Sequence, residues 1–143
     1  MLWMFGKCQK HVRYALRLLM RLSLENRPMS SSELAEKEHI TRSFTLKVLH
    51  YLKRSGLVSS IKGKNGGFVL ARSADEISFL DIIRAFEKDL VIVDCSNRCE
   101  NYKHCRAKYF WSWLSDHLKE MFSSITLKDI ASGSFAFQCE KLP

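Results

Sequence analysis

The most restrictive feature of this 143-residue chain is the punctuation between Asn26 and Gly67, where helix starts, helix stops and a glycine-rich turn follow one another closely. Asn26-Arg27-Pro28 ends a preceding helix, since proline lacks the N–H that a continuing helix requires. Ser30-Ser31-Ser32-Glu33 reads as a capping box, flanked by Met29 and Leu34 as a hydrophobic staple, and predicts a helix from about Ser31 to Glu38. Only His39-Ile40-Thr41 separates it from a third helix, which Thr41 caps, which runs to Arg54 and which Gly56 closes. Two short helices joined by so tight a turn are the skeleton of a helix-turn-helix.

The next segment continues that pattern. Leu57-Val58-Ser59-Ser60-Ile61 and Phe68-Val69-Leu70-Ala71 are strand-like runs on either side of Lys62-Gly63-Lys64-Asn65-Gly66-Gly67, which predicts a basic hairpin in the position of a wing. Glycines let a backbone approach a groove, and Lys62 and Lys64 can neutralise phosphates or enter a minor groove. A nucleotide-cradling loop is disfavoured, because no helix opening with Lys-Ser/Thr follows the glycines. In the third helix Phe44, Val48, Leu49 and Leu52 share one face, so Arg42, Ser43, Thr45, Leu46, Lys47 and His50 are expected to look outward. Residues at the start of the second helix of such a motif meet base edges, and Arg, Ser, Thr and Lys carry suitable donors.

Charge agrees with this placement. The chain carries +8, but residues 1–72 hold 14 basic and four acidic side chains (+10), whereas residues 73–143 hold nine and eleven (−2). A polyanion partner is therefore expected for the first half only. From Gln9 to Ser23, Val12, Ala15, Leu16, Leu19 and Leu22 form an apolar helical face, while Lys10, Arg13, Arg17 and Arg21 line another with no interleaved acid. Such a row suits a helix lying along phosphates. With 46% apolar residues the chain can bury a core, so it is not a disordered basic tail, and its length excludes a barrel or two-domain enzyme. No nucleophile–base constellation stands out. No apolar run approaches the ~18–20 residues of a membrane span, and Met-Leu-Trp-Met-Phe is short for a signal core, so a soluble cytoplasmic protein is expected.

Ser78-Phe79-Leu80-Asp81 forms a second capping box, with Ile77 and Ile82 as its staple, and opens a helix to about Lys88. From Tyr109 to Ser124, Phe110, Trp111, Trp113, Leu114, Leu118, Met121 and Phe122 cover a wide arc. A helix so broadly apolar needs two burial surfaces, one on its own domain and one on a second subunit. Thr126-Leu127-Lys128-Asp129 then caps a final short helix.

Of five cysteines, Cys95, Cys99 and Cys105 crowd into eleven residues as C-x3-C-x5-C, which in a cytoplasmic chain favours a metal or redox site over disulfides. Thiolates are the soft ligands of iron–sulfur clusters and zinc, and Arg98, Lys103 and Arg106 favour the ionised form. Three is one short of a protein-only tetrahedral set: His104 would complete a zinc site, a ligand from elsewhere would complete a cluster, and thiol-based redox sensing needs neither. Haem attachment and S-adenosylmethionine radical chemistry want other spacings. Cys8 and Cys139 read individually as ordinary thiols.

Together these residues resemble the bacterial transcription-regulator family that includes IscR, NsrR, RirA and CymR. The resemblance rests on Arg13-Tyr14-Ala15-Leu16-Arg17, on Gly56 to Gly63 with Gly66-Gly67-Phe68-Val69-Leu70-Ala71, and on Ile125-Thr126-Leu127-Lys128-Asp129, and covers about Cys8 to Ile130. It implies a mainly α fold with a small β-hairpin wing: a winged helix-turn-helix DNA-binding domain over 1–88, a cysteine-containing sensor loop over 89–108, and a long C-terminal dimerisation helix with its tail over 109–143. It further implies a homodimer on a palindromic promoter site in double-stranded DNA, tuned by an iron–sulfur cluster of 2Fe–2S or 4Fe–4S type that reports iron–sulfur status, redox state or nitric oxide. Recognition then falls on Arg42, Ser43, Thr45, Leu46 and Lys47, while phosphate contact by Arg13 and Arg17 is expected from the cationic row of the first helix itself. The wing role falls on Lys62, Lys64, Asn65 and Gly66, and cluster ligation on Cys95, Cys99 and Cys105.

Two departures stand against the family pattern. The first cysteine gap is short, and the two familiar positions of the fourth ligand hold Lys108 and Arg13, neither of which ligates at neutral pH. Cys8 or His11 from the partner subunit, and then His104, are the substitutes. The segment from 90 to 108 joins the helix opening at Ser78 to the long helix, so its order is expected to set the spacing of two recognition helices. A zinc- or thiol-based DNA regulator, or a protein-interaction module with no DNA role, are the alternatives.

Overall fold

A 19-residue helix, α1 (Lys7–Glu25), forms the spine of the structure. The computed structural model describes residues 7–88 and 90–135, the first three of these by backbone only. Ala15, Leu18, Leu19 and Leu22 recur at helical spacing on α1 and are all but inaccessible to solvent. Around that stripe pack α3 (Arg42–Arg54), β2 (Gly67–Leu70), α4 (Phe79–Arg84) and α6 (Leu127–Ala131). Asn26, in the left-handed region at φ +48°, ends α1 two residues before Pro28.

The helix-turn-helix follows as expected. α2 (Ser31–Lys37) opens on Ser30, whose Oγ accepts the Glu33 N–H at 3.1 Å, and Met29 and Leu34 are both fully buried around that cap. The capping box is completed differently from expectation, because the Glu33 carboxylate accepts hydrogen bonds from the Arg27 guanidinium. His39 at φ +54° makes the turn into α3, Thr41 Oγ1 caps it by accepting the Phe44 N–H, and Gly56 at φ +76° follows its end.

β1 (Val58–Ile61) and β2 pair antiparallel, with Val58 opposite Leu70 and Ile61 opposite Gly67. The wing is anchored at its base by an antiparallel bridge between Met29 and Phe68, whose N–H groups and carbonyls exchange bonds of 3.1 and 2.7 Å. Only glycine fits at 67, since a Cβ there would stand 2.6 Å from the Met29 carbonyl.

α4 carries both halves of its predicted capping box, Ser78 with Asp81, but stops at Arg84 rather than near Lys88. Phe86 N–H turns back to the Ile83 carbonyl three residues earlier, which tightens and ends the helix. Residues 90–106 are turns and coil leading into α5 (Ala107–Ser124). An antiparallel bridge between Ser78 and Thr126 then carries the chain back: Leu127 donates to the Ile77 carbonyl at 2.8 Å and its side chain joins the core. The result is a mainly helical winged helix-turn-helix with a two-stranded hairpin. No helix among the described residues is long and apolar enough to cross a membrane.

Candidate nucleic-acid interface and cysteine segment

α3 is two-faced. Val48, Leu49 and Leu52 are fully buried against the core, whereas Arg42, Ser43, Leu46, Lys47 and His50 are exposed. Thr45 departs from expectation: it is wholly buried, not outward. It lies one turn before Leu49 on the same face, and its Oγ1 donates to the Thr41 carbonyl at 3.0 Å. That bond satisfies the hydroxyl within its own helix and leaves the methyl free to pack inward. Thr45 is therefore removed from the outward set.

In the wing, Lys62, Lys64 and Asn65 are exposed at the tip and Gly66 is half-buried. A Cβ at Gly66 would stand 2.0 Å from the Ile61 carbonyl oxygen, so the tight tip depends on glycine. Lys53, at the end of α3, donates to Ser60 Oγ at 2.7 Å and ties helix to strand.

The cationic row of α1 splits into two pairs. Lys10 and Arg13 are exposed and lie over the rings of Phe44 and Tyr14, at 5.0 and 5.1 Å. Arg17 and Arg21 instead converge on Glu38 at the end of α2, with Nε–carboxylate distances of 2.9 and 2.8 Å, and Arg17 also donates to the Glu38 carbonyl at 2.6 Å. The Glu38 hydrogen bond, strengthened by the charges of Glu38 and Glu25, raises the Arg21 guanidinium above its usual value against the opposing effect of burial. The row is thus not unopposed: the anion for half of it is the chain's own carboxylate, some twenty positions away in sequence. Periodicity within one helix carries no trace of that partner. An acid at the end of the following short helix was the available signal.

The cysteine segment is built from local turns. Cys99 N–H bonds the Ser96 carbonyl, and the N–H groups of His104 and Cys105 share the Asn101 carbonyl. Cys95 and Cys105 are half-buried, Cys99 is exposed, and none of the three is in a disulfide. Arg98 is paired with Asp94 at 2.7 Å, and Lys108 donates to the Tyr102 carbonyl at 2.8 Å. His104 is exposed. His11 stands half-buried among the rings of Phe44, Tyr51 and Phe86, with centroids 5.4–6.5 Å away, so its surroundings are aromatic. The side chain of Cys8 and the whole of Cys139 lie outside the described residues. In donor chemistry three thiols suit an iron–sulfur cluster. In geometry the segment does not gather them: no three His, Cys, Asp or Glu converge on a metal site among the described residues.

α5 contains no buried residue. Phe122 packs edge-on against Phe79 of α4 at 5.1 Å, while Tyr109, Phe110, Trp113 and Met121 are 69, 52, 53 and 47% exposed. The two surfaces expected of this helix are therefore one seated stripe and one open one.

The Rrf2 family model, described as an iron-dependent transcriptional regulator, matches residues 8–133. The HTH-type transcriptional regulator IscR of Photorhabdus laumondii is 28% identical over 124 residues, which span 84% of this chain and 76% of that protein. CymR, the global cysteine regulator of B. subtilis, is 31% identical and superposes with a TM-score of 0.72, over 85% of this chain and 93% of that one. The IscR of T. potens, at 24% identity, shares the fold with a TM-score of 0.70 over 87% of this chain and 85% of that one.

Proposed function

From the premise that this chain belongs to the Rrf2 family of DNA-binding transcriptional regulators, we propose that it is a homodimeric regulator of a palindromic promoter site, whose cysteine segment senses through an iron–sulfur cluster. The observation that carries the DNA assignment is the division of α3: one face lies fully in the core, and the other offers Arg42, Ser43, Leu46 and Lys47 to solvent directly before an exposed basic wing. Lys62, Lys64 and Asn65 supply phosphate contacts, Gly66 holds the wing tip, and Lys10 and Arg13 are the cations of the four-residue α1 row that Glu38 does not pair. Arg17, bound to Glu38, contributes to DNA only by sharing its guanidinium. The open stripe of α5 is the dimer surface, and burying it in a second copy satisfies the helix and doubles the recognition element with twofold symmetry.

Cys95, Cys99 and Cys105 would supply soft donors to the cluster, 2Fe–2S or 4Fe–4S, with Cys8, His11 or His104 as the further ligand. Support comes from the donor set and from relatives named for iron dependence and as IscR; the local turns of the segment must rearrange to bring the sulfurs together.

Titration of a labelled duplex with the full chain at rising salt tests the DNA assignment. The logarithm of affinity should fall steeply and linearly with that of salt, and Lys62→Ala and Lys64→Ala should each reduce the slope by about 1. Affinity indifferent to salt would overturn it. Iron and sulfide analysis of anaerobically purified protein tests the cluster: visible absorption with both elements is expected, diminished in Cys99→Ala, and a colourless zinc protein would overturn it.

A further inference from the structure

Leu46 is the apolar residue of the outward α3 face, and it has no hydrogen-bonding group with which to serve the DNA assignment. It is 42% exposed and lies one turn from Arg42 and one turn from His50, between Ser43 and Lys47, all of them exposed and polar. A solitary surface leucine is unremarkable in general. Here it sits in the first two turns of the helix whose opposite face is locked into the core, in a surface otherwise equipped only with hydrogen-bonding groups.

In the major groove each base pair presents donors and acceptors, and thymine alone adds an apolar group, its C5 methyl. A leucine has nothing to offer a donor or acceptor and would strip water from it without replacement, which penalises the other bases. Thr45 carries the other methyl on the outward list, but it is buried and cannot compete. We infer that Leu46 reads the 5-methyl group of a thymine, once in each half-site. The inference rests on the DNA assignment above.

The probe is a duplex obtained by in vitro selection from a randomised library with the full chain, resynthesised with deoxyuridine at each thymine in turn. This removes the methyl and nothing else. For the wild-type chain, one symmetry-related pair of thymines should show a loss of about fourfold per half-site, the size of one apolar methyl contact. Leu46→Ala should bind the thymine and uracil duplexes equally, and Leu46→Met should keep most of the preference. Wild-type affinity unchanged by uracil at every thymine would overturn the inference, as would an equal uracil penalty in Leu46→Ala. Selection that enriches no sequence, together with binding insensitive to salt, would overturn the DNA assignment itself and Leu46 with it.

Discussion

The winged body and the long helix of this molecule are stabilised in opposite ways. In the body, α2, α3 and α4 each begin on a hydroxyl that accepts a backbone N–H. Leucines, isoleucines and Met29 close one core, and even surplus cations of α1 find an internal counter-charge in Glu38. α5 has no side-chain cap at Arg106 and buries none of its 18 residues, while Tyr109, Phe110 and Trp113 face solvent. Helices draw most of their stability from packing rather than propensity. The body is therefore held by what it contains, whereas the open stripe of α5 has no such cover within the described residues. In the proposed homodimer a second copy would cover it without requiring any new element.

The most severe way to break the comparison is to cut into the body. Leu49, fully buried on the inner face of α3, belongs to the core to which every other element except α5 contributes. Leu49→Ala should cost about 2–5 kcal/mol, read as a lower midpoint in urea or heat, with DNA binding lost alongside. Trp113→Ala tests the other side. Because Trp113 is an exposed aromatic of the proposed interface, its truncation should weaken dimerisation by ~2 kcal/mol, or about 30-fold, measured by sedimentation, while the body's unfolding midpoint stays close to wild type. If Trp113→Ala instead lowered that midpoint without dissociating the protein, the open stripe would belong to the body and the contrast would fall.

The same contrast decides what was legible in the sequence. Caps, staples and turn glycines act over three or four residues, so Ser30, Thr41, Ser78, Thr126 and the wing could be read directly. Thr45 misled because its type signals polarity, while a bond to its own helix hides the hydroxyl. Glu38 could not be read from the periodicity of α1 because its partners are 17 and 21 positions away, and only its place at the end of α2 hinted at the pairing. Glu33 was read as closing its box, but Arg27 reaches it first. The cysteines show a further limit: spacing identifies three soft donors, whereas their convergence depends on how a loop of local turns is folded.

Glu38 sharpens the claim that the body is internally satisfied. Its side chain is 9% exposed and accepts from two guanidiniums that are 43 and 34% exposed. Glu38→Gln preserves shape and removes the charge. Because both arginines still reach water, the loss should be moderate, about 1–2 kcal/mol in urea unfolding, below that of Leu49→Ala. No loss at all would mean that the α1 row needs no internal anion, and that Arg17 and Arg21 are as available to phosphates as Lys10 and Arg13.

The smallest expected effect concerns acid. Hydrogen bonding to Lys37, reinforced by Arg27 and Arg21, holds the Glu25 carboxyl below its usual value against burial, and Arg27 does the same for Glu33. A carboxylate depressed in the native state adds stability that is present above the unfolded pKa near 4.5 and is lost as pH falls through the lowered native value. The body should therefore lose stability below about pH 4.5 as Glu25 and Glu33 gain protons. Arg27→Gln, which removes the cation common to both, should start slightly less stable at neutral pH and lose less on acidification, since the carboxyls are then closer to their unfolded values. Unfolding midpoints at about pH 7 and about pH 3.5 measure both ends of that cycle. The difference should be small because these pairs are solvent-screened, and it should shrink further in high salt. A steeper acid loss in Arg27→Gln than in wild type would reverse the sign and remove this cluster from the interactions that hold the body together.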